Sequence, residues 1–181
     1  MKEKIVFYFH GKDGKGESPR SQMFRNLLPA DVKLVCPTIP FGATESLDVA
    51  DKAVMDVMLE NVNAQADVVV VGMSLGGWLA TVVCETWGFK NCILINPSLS
   101  PATSLPRSGV SKEEADKYFA VSPISGSTIF CANRDELFDF ATIAKDWEPF
   151  CDVRHVSGDH KFDKTVQTEM VVAEMKKKLG L

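Results

Sequence analysis

The sequence predicts a three-layer α/β domain with a mostly parallel, six-stranded sheet. Short segments rich in β-branched and apolar residues recur along the chain, and most are apolar on both faces, as buried parallel strands are. Segments with helix signals lie between most of them. Alternating strands and helices favour a sheet that is covered by helices on both faces.

The strand candidates are short, and residues 67–72 show the pattern most clearly. Four consecutive valines, Val68 to Val71, stand there before a glycine. Such β-branched runs favour extended backbone in a buried sheet. The six predicted strands cover residues 5–10, 32–36, 67–72, 91–96, 127–132 and 152–157.

Helix signals fill most of the intervals between these strands. Ser18 followed by Pro19 predicts a helix start, because serine caps helices and proline favours the first helical position. Gly88 predicts the end of a helix that begins just after the third strand. We expect the later helices at 45–65, 75–87, 138–150 and 162–178.

Residues 97–126 interrupt this rhythm. The segment contains four prolines and a short helical piece at 111–119, which opens like a capping box with Ser111 and Glu114. A long insertion on the ligand side of such a sheet is usually a lid or binding loop, and a solvated surface excursion is the alternative. With 181 residues, we expect one domain, 1–181, that carries this lid-like insertion.

Charge and hydropathy patterns argue against several classes of partner. The formal net charge is -4 and no basic stripe is visible, so we expect no nucleic-acid partner. The basic run at 176–178 falls in the last turn of a predicted helix, where cations suit the helix dipole. No apolar run approaches membrane-spanning length, so we expect no membrane partner. The sequence predicts no particular oligomeric state.

Cysteine usage indicates a reducing compartment and no metal. The chain has an odd number of cysteines and no C-x-x-C pair, and no Cys or His pair has metal-ligand spacing. No signal peptide is visible at the N-terminus. We therefore expect a cytoplasmic protein whose cysteines are reduced core residues, namely Cys36, Cys84, Cys92, Cys131 and Cys151.

The most informative segment is Gly-Met-Ser-Leu-Gly at 72–76, between the third strand and a helix. Gly-x-Ser-x-Gly in this context is the nucleophile elbow of α/β-hydrolases, a sharp turn that lifts the serine above the sheet. Bulky side chains at Gly72 or Gly76 would collide there. Ser74 is the predicted nucleophile, and the Leu75 N–H, at a helix N-terminus, is a predicted oxyanion donor.

A serine hydroxyl is a weak nucleophile at neutral pH, so Ser74 needs a base. His160 is predicted, because it follows the last strand and precedes the last helix, at the sheet edge where ligands bind. His155 lies inside a strand, where a histidine is usually a sheet residue. His10 ends the first strand and is expected to support the loop that follows it.

The orienting acid should follow the preceding strand. Asp135 is predicted, because a short carboxylate on a turn directly after a strand is held firmly. The order Ser, acid, His is also that of the α/β-hydrolases. Glu136 and Asp139 stay open as alternatives, as does a helix-capping role for this acidic cluster.

The loop at 11–17 follows the first strand and is rich in glycine and lysine. Gly11 lets the backbone approach the site closely, and the Lys12 N–H is the predicted second oxyanion donor. The loop also keeps the glycine spacing of a phosphate-binding P-loop, but Glu17 stands where that motif has lysine. A carboxylate there would repel phosphates, so we reject an NTPase.

Several motifs together resemble the small single-domain α/β-hydrolases of the YqiA/YcfP type, which are esterases. They are Tyr-Phe-His-Gly at 8–11, Ser-Pro-Arg-Ser at 18–21, the elbow at 72–78, Asn-Pro-Ser at 96–98, Asn-Arg-Asp-Glu at 133–136 and Asp-His-Lys-Phe at 159–162. The resemblance implies a reduced hydrolase fold with strand order 2-1-3-4-5-6, and triad roles for Ser74, Asp135 and His160. Gly-Lys-Gly at 14–16 departs from the family and indicates a longer, more flexible first loop.

These features predict a serine hydrolase of the carboxylesterase type, acting on small ester substrates without a cofactor. A thioesterase or peptidase would use the same triad. A non-catalytic binding protein on a hydrolase scaffold is a further alternative, and it would show a long or misaligned Ser74–His160 contact. We expect the pocket walls to come from Phe41, Met73, Leu99 and Phe119.

Overall fold

Within residues 2–61 and 66–181, which the computed structural model describes, six strands form one sheet: β1 (Glu3–Phe9), β2 (Val32–Val35), β3 (Ala66–Met73), β4 (Asn91–Ile95), β5 (Thr128–Ala132) and β6 (Asp152–Val156). Neighbouring strands pair in parallel, in the order β2-β1-β3-β4-β5-β6. The predicted α/β class and the strand order implied by the resemblance are confirmed.

Seven α-helices lie in the described parts of the chain: α1 (Pro19–Leu27), α2 (Ala43–Glu60), α3 (Leu75–Trp87), α4 (Pro101–Ser104), α5 (Lys112–Ala115), α6 (Phe140–Ile143) and α7 (Thr165–Lys178). The predicted start of α1 is confirmed, since Ser18 Oγ accepts the Ser21 N–H at 3.2 Å. The prediction for α2 ran to 65, and its last part, 62–65, lies outside the described residues.

The helix predicted at 138–150 is wrong in extent. Helix α6 has only four residues, and a 3-10 turn, Ala144–Asp146, follows it. The Asp135 carboxylate accepts the N–H groups of Leu137 and Phe138. These bonds hold the chain in a turn, so the helix begins only at Phe140. Helix α7 also begins later than predicted, because Phe162 has a φ of 49°, outside the helical region.

Both faces of the sheet are covered by apolar layers. Along β1, Ile5, Phe7 and Phe9 pack towards α2 and α3, and Val6 and Tyr8 pack towards α1 and α7. Burial on both faces explains why the strands are continuous apolar runs rather than alternating ones.

The strand order reverses beside β1, since β2 lies on one side of it and β3 on the other. In open parallel sheets, ligand sites form at the carboxyl ends of the strands beside such a reversal. The loop after β1 and Ser74 after β3 therefore meet at the place where the fold favours a site. No helix in the described ranges is both long and apolar enough to cross a membrane.

The insertion at 97–126 contains α4, a 3-10 turn (Leu105–Ser108) and α5. Leu105, Ala115 and Tyr118 are buried and anchor it to the core. Ser111 Oγ accepts the Glu114 N–H at 3.2 Å, which is the serine half of the predicted capping box, on a helix shorter than expected. The role of this segment as a lid or binding loop stays a prediction.

Candidate active site

Ser74 occupies a strained backbone position between β3 and α3. Its φ is 52° and its ψ is −121°, a region that non-glycine residues rarely adopt. Its N–H donates to the Ile95 carbonyl at 2.9 Å, and its own carbonyl accepts the Ser98 N–H at 3.0 Å. Strand β4 and the segment after it therefore hold the turn in place.

The glycines around Ser74 are required for space. A Cβ on Gly72 would overlap the Gly76 backbone, and a Cβ on Gly76 would lie 2.5 Å from the His10 carbonyl oxygen. A Cβ on Gly11 would lie 3.1 Å from the Ser74 Cβ. The loop after β1 thus passes directly beside the serine.

The three side chains Ser74, His160 and Asp135 form one hydrogen-bonded chain. Ser74 Oγ lies 2.9 Å from His160 Nε2, and His160 Nδ1 lies 2.7 Å from Asp135 Oδ2. Because an ionised carboxylate only accepts, Nδ1 carries the proton and Nε2 is free to accept from the serine hydroxyl. The Asp135 side chain is fully buried, and that of His160 is 13% exposed.

The alternative acids take other roles. Glu136 Oε2 accepts the backbone N–H of His160 at 3.0 Å, and Asp139 Oδ2 accepts the Thr142 hydroxyl at 2.7 Å. Asp135 uses its second oxygen to accept the N–H of Leu137 at 2.8 Å. The cluster therefore combines orientation of the imidazole with organisation of the turn.

His10 holds the loop after β1. Its Nδ1 donates to the Gly11 carbonyl at 2.8 Å, and its Nε2 accepts the Ile39 N–H at 2.9 Å. These partners require the neutral ring with the proton on Nδ1. Burial lowers the pKa of His10 below its usual value. His155 lies within β6, as expected from the sequence.

The glycines of this loop serve close packing. A Cβ on Gly14 would lie 2.6 Å from His10 Nδ1, and a Cβ on Gly16 would overlap the Cys36 carbonyl. The Gly16 N–H also donates to Thr38 Oγ1 at 3.0 Å. These contacts hold both glycines against neighbouring backbone and side chains, and the flexibility expected of this loop from the sequence stays a prediction.

Asn96, to which the sequence assigned no role, supports the His160 loop from the end of β4. The residue is fully buried, with a φ of 43°. Its side-chain amide donates to the carbonyl oxygens of Asp159 and His160, and its Oδ1 accepts the Ala132 N–H at 2.7 Å. The sequence feature that could have indicated this supporting role is an asparagine at the end of an apolar run, just before Pro97.

Arg20, on α1, supports the same loop from the other side. Its guanidinium donates to the carbonyl oxygens of Lys161 and Phe162 and contacts the Met73 sulfur. It therefore links α1 to the residues next to His160 and next to Ser74. No local pattern in the sequence indicates this role, because Lys161 is far along the chain.

A cavity of about 730 Å³ opens at Ser74 and His160. Lys12 and Leu75, the predicted oxyanion donors, line it, and Leu75 begins α3, where N–H groups have no acceptor within the helix. Of the predicted wall residues, Met73 lines it. Lining residues that the sequence did not indicate include Tyr8, Met23, Leu105, Leu137 and Phe138.

The other three predicted wall residues lie outside this lining. Leu99 is 5% exposed and belongs to the core between the sheet and α3. Phe41 lines a small separate pocket behind Lys12. The Phe119 ring packs against Trp78 at 5.4 Å. Apolar residue type alone did not separate cavity walls from core and surface positions.

This arrangement can support attack by an oxygen nucleophile. The imidazole can accept the serine proton as Oγ attacks an electrophilic carbon, and the buried carboxylate can stabilise the imidazolium that would form. In residues 2–61 and 66–181, no group of three or more Cys, His, Asp or Glu side chains is arranged to hold a metal ion.

Comparison with known proteins places the chain in a family. Residues 5–176 match the model described as "Uncharacterised protein family (UPF0227)". The chain belongs to this family. The resemblance to the YqiA/YcfP type is therefore confirmed for this UPF0227 protein. A search of curated proteins found no match.

Solved structures show the fold of this UPF0227 protein to be that of the α/β-hydrolases. Est1E from Butyrivibrio proteoclasticus matches with a TM-score of 0.75 and 16% identity, over 99% of this chain and 90% of that chain. An esterase from Pyrococcus furiosus matches with a TM-score of 0.71 and 12% identity, over 99% of this chain and 83% of that chain. The mouse alpha/beta hydrolase domain-containing protein 10 matches with a TM-score of 0.69 and 14% identity, over 98% of this chain and 90% of that chain.

Proposed function

We propose that this UPF0227 protein is a serine hydrolase of the carboxylesterase type, which cleaves esters of small acyl substrates. The hydrogen-bonded chain from Ser74 through His160 to Asp135 carries the proposal. The esterase from Pyrococcus furiosus shares its fold, which favours ester chemistry. The free cysteines support a cytoplasmic location.

In the proposed mechanism, His160 takes the Ser74 proton as Oγ bonds to the ester carbonyl carbon. The N–H groups of Leu75 and Lys12 stabilise the oxyanion. The C–O bond then breaks, and the alcohol leaves with the proton held by His160. Water, activated by the same imidazole, releases the acid and restores Ser74, while Asp135 keeps the tautomer fixed.

A thioesterase or peptidase would use these same steps, and the acyl and leaving-group preference depends on the cavity. The non-catalytic alternative is disfavoured by the contact of 2.9 Å between Ser74 Oγ and His160 Nε2. Such a protein has no need to align a base with the serine.

The test uses the Ser74→Ala variant. We expect turnover of para-nitrophenyl butyrate to fall by roughly 10³-fold or more, and fluorophosphonate labelling to be lost, because the nucleophile is removed. The control is Ser125→Ala, which removes an exposed serine from the turn before β5. Circular dichroism checks the fold of both variants. Retained turnover in folded Ser74→Ala would rule out the nucleophile.

A further inference from the structure

The cavity beside Ser74 has two unlike walls. Because β3 lies between β1 and β4, Ser74 stands between the loop after β1 and the insertion after β4. Hydrogen bonds from Arg20 to the Lys161 and Phe162 carbonyls join the chain after His160 to the α1 side. The first wall is formed by the loop after β1, by α1 and by the chain after His160. It carries four cationic residues, Lys12, Lys15, Arg20 and Lys161. The wall formed by the insertion and the loop after β5 carries Ser98, Ser104, Leu105, Ser108, Leu137 and Phe138.

Most of the positive charge on the first wall has no negative partner. Lys12 pairs with Asp13 at 2.5 Å. Among the described residues, no carboxylate lies within 4.0 Å of the cationic groups of Lys15, Arg20 or Lys161. The single other acid on this wall is Asp163.

Arg20 is the most informative of these cations. It is only partly exposed, and its donors face two carbonyl oxygens and a thioether, all of them neutral. Those contacts orient the guanidinium and leave its charge uncompensated. A partly desolvated charge without a counter-charge is unfavourable until an anion approaches it.

The cationic wall also contrasts with the rest of the molecule. The chain has a formal net charge of -4, yet cations outnumber acids on this wall. A cleft lined by one sign of charge focuses the field and raises the local concentration of oppositely charged ligands.

We propose, on the basis of the function proposed above, that the substrate is an anionic ester. A carboxylate or phosphate group on one side of the scissile bond contacts the wall of Lys15, Arg20 and Lys161. The apolar part on the other side packs against Leu105, Leu137 and Phe138. The cavity volume of about 730 Å³ is typical of sites that enclose a small molecule.

Matched esters test this proposal. One pair is para-nitrophenyl butyrate and mono-para-nitrophenyl glutarate, with the anion on the acyl side. A second pair is methyl meta-butyryloxybenzoate and free meta-butyryloxybenzoate, with the anion on the alcohol side. In a third arm, meta-butyryloxyphenyl phosphate replaces the carboxylate by a phosphate. We expect kcat/KM at low salt to favour an anionic ester by ~10-fold, and about 0.5 M NaCl to remove most of that preference.

The double variant Lys15→Gln, Lys161→Gln should lower the ratio of kcat/KM for the anionic ester to kcat/KM for the neutral ester by roughly 3- to 10-fold, since the positive charge of the wall is reduced. The control is Lys90→Gln. This exposed lysine precedes β4 at the amino end of the strands, opposite the end that carries Ser74.

The outcomes separate the two proposals. If neutral esters are hydrolysed and this activity needs Ser74, the proposed hydrolase function stands. If the enzyme then shows no preference for anionic esters that salt or the two lysine substitutions reduce, the proposal of an anionic substrate is overturned. No turnover of any ester overturns both.

Discussion

The side-chain amide of Asn96 donates to the carbonyl oxygen of His160 at 3.0 Å. It also donates to the Asp159 carbonyl at 3.2 Å, and its Oδ1 accepts from the backbone of β5. One buried side chain therefore fixes the loop that carries the proposed base relative to two strands. It acts on the imidazole through the backbone of the loop, so it is a positioning residue.

The Asn96→Asp variant should lower kcat with little change in KM. A carboxylate can still accept the Ala132 N–H, but it repels the two carbonyl oxygens that the amide holds, so the imidazole moves away from Ser74. A displacement of about 1 Å can cost on the order of 10²-fold in rate, and we expect kcat to fall by ~10- to 100-fold. Steady-state kinetics on para-nitrophenyl butyrate provide the measurement.

The control for Asn96 is Asn91→Asp, on the same strand at its other end. Asn91 also donates its amide to a backbone carbonyl, that of Val68 at 3.3 Å, far from the site. We expect the Asn91→Asp variant to keep the wild-type kcat. Equal losses in both folded variants would show that the asparagine acts on general stability alone.

Replacing Arg20 by glutamine should lower kcat by ~10-fold, because the loop after His160 and the residue before Ser74 lose a shared support. Millimolar guanidinium chloride, well below denaturing concentrations, should restore part of the rate by occupying the vacated space. The control is Arg25→Gln on the same helix, where the arginine pairs with Glu17 at the surface at 2.8 Å. A rate that guanidinium does not raise would contradict the positioning role.

Protonation of His10 should oppose folding in mild acid. Burial lowers the pKa of His10 below its usual value of 6.5, so below that pH the unfolded chain takes up a proton that the folded protein does not. The free energy of unfolding is therefore unaffected by His10 above pH 6.5. It falls as the pH drops towards the folded-state pKa, by at most about 1.4 kcal/mol per pH unit for one proton.

Urea denaturation between about pH 5 and pH 8 measures this dependence. In the His10→Asn variant, the decrease below pH 6.5 should be smaller than in the wild type. If the His10→Asn and wild-type curves run parallel, His10 does not titrate with folding.

The sequence indicated the fold and the elbow because both have local signals. Four valines followed by Gly-x-Ser-x-Gly specify a buried strand, a turn and a helix within a short window. His160 and Asp135 followed from the rule that parallel strands present their carboxyl ends at one edge. The structure brings both side chains into contact distance of each other, and His160 into contact with Ser74.

Other features could not be inferred, because they depend on contacts between distant segments. Arg20 meets Lys161 only after α1 and α7 have packed on one face of the sheet. The role of Gly14 is visible only when the His10 ring lies against it. Phe41, Leu99 and Phe119 share an apolar character that several environments satisfy, so residue type did not assign them to the cavity.

Strand β6 is one of the two edge strands of the sheet, paired only with β5 in the described structure, and its residues are partly or fully exposed. The loop that carries His160 begins just after it. Edge elements open locally at a lower free energy than the central strands of a core. Local opening at this edge would therefore disturb the His160 loop while the central strands stay folded, so we expect activity to be lost on mild heating before the sheet unfolds.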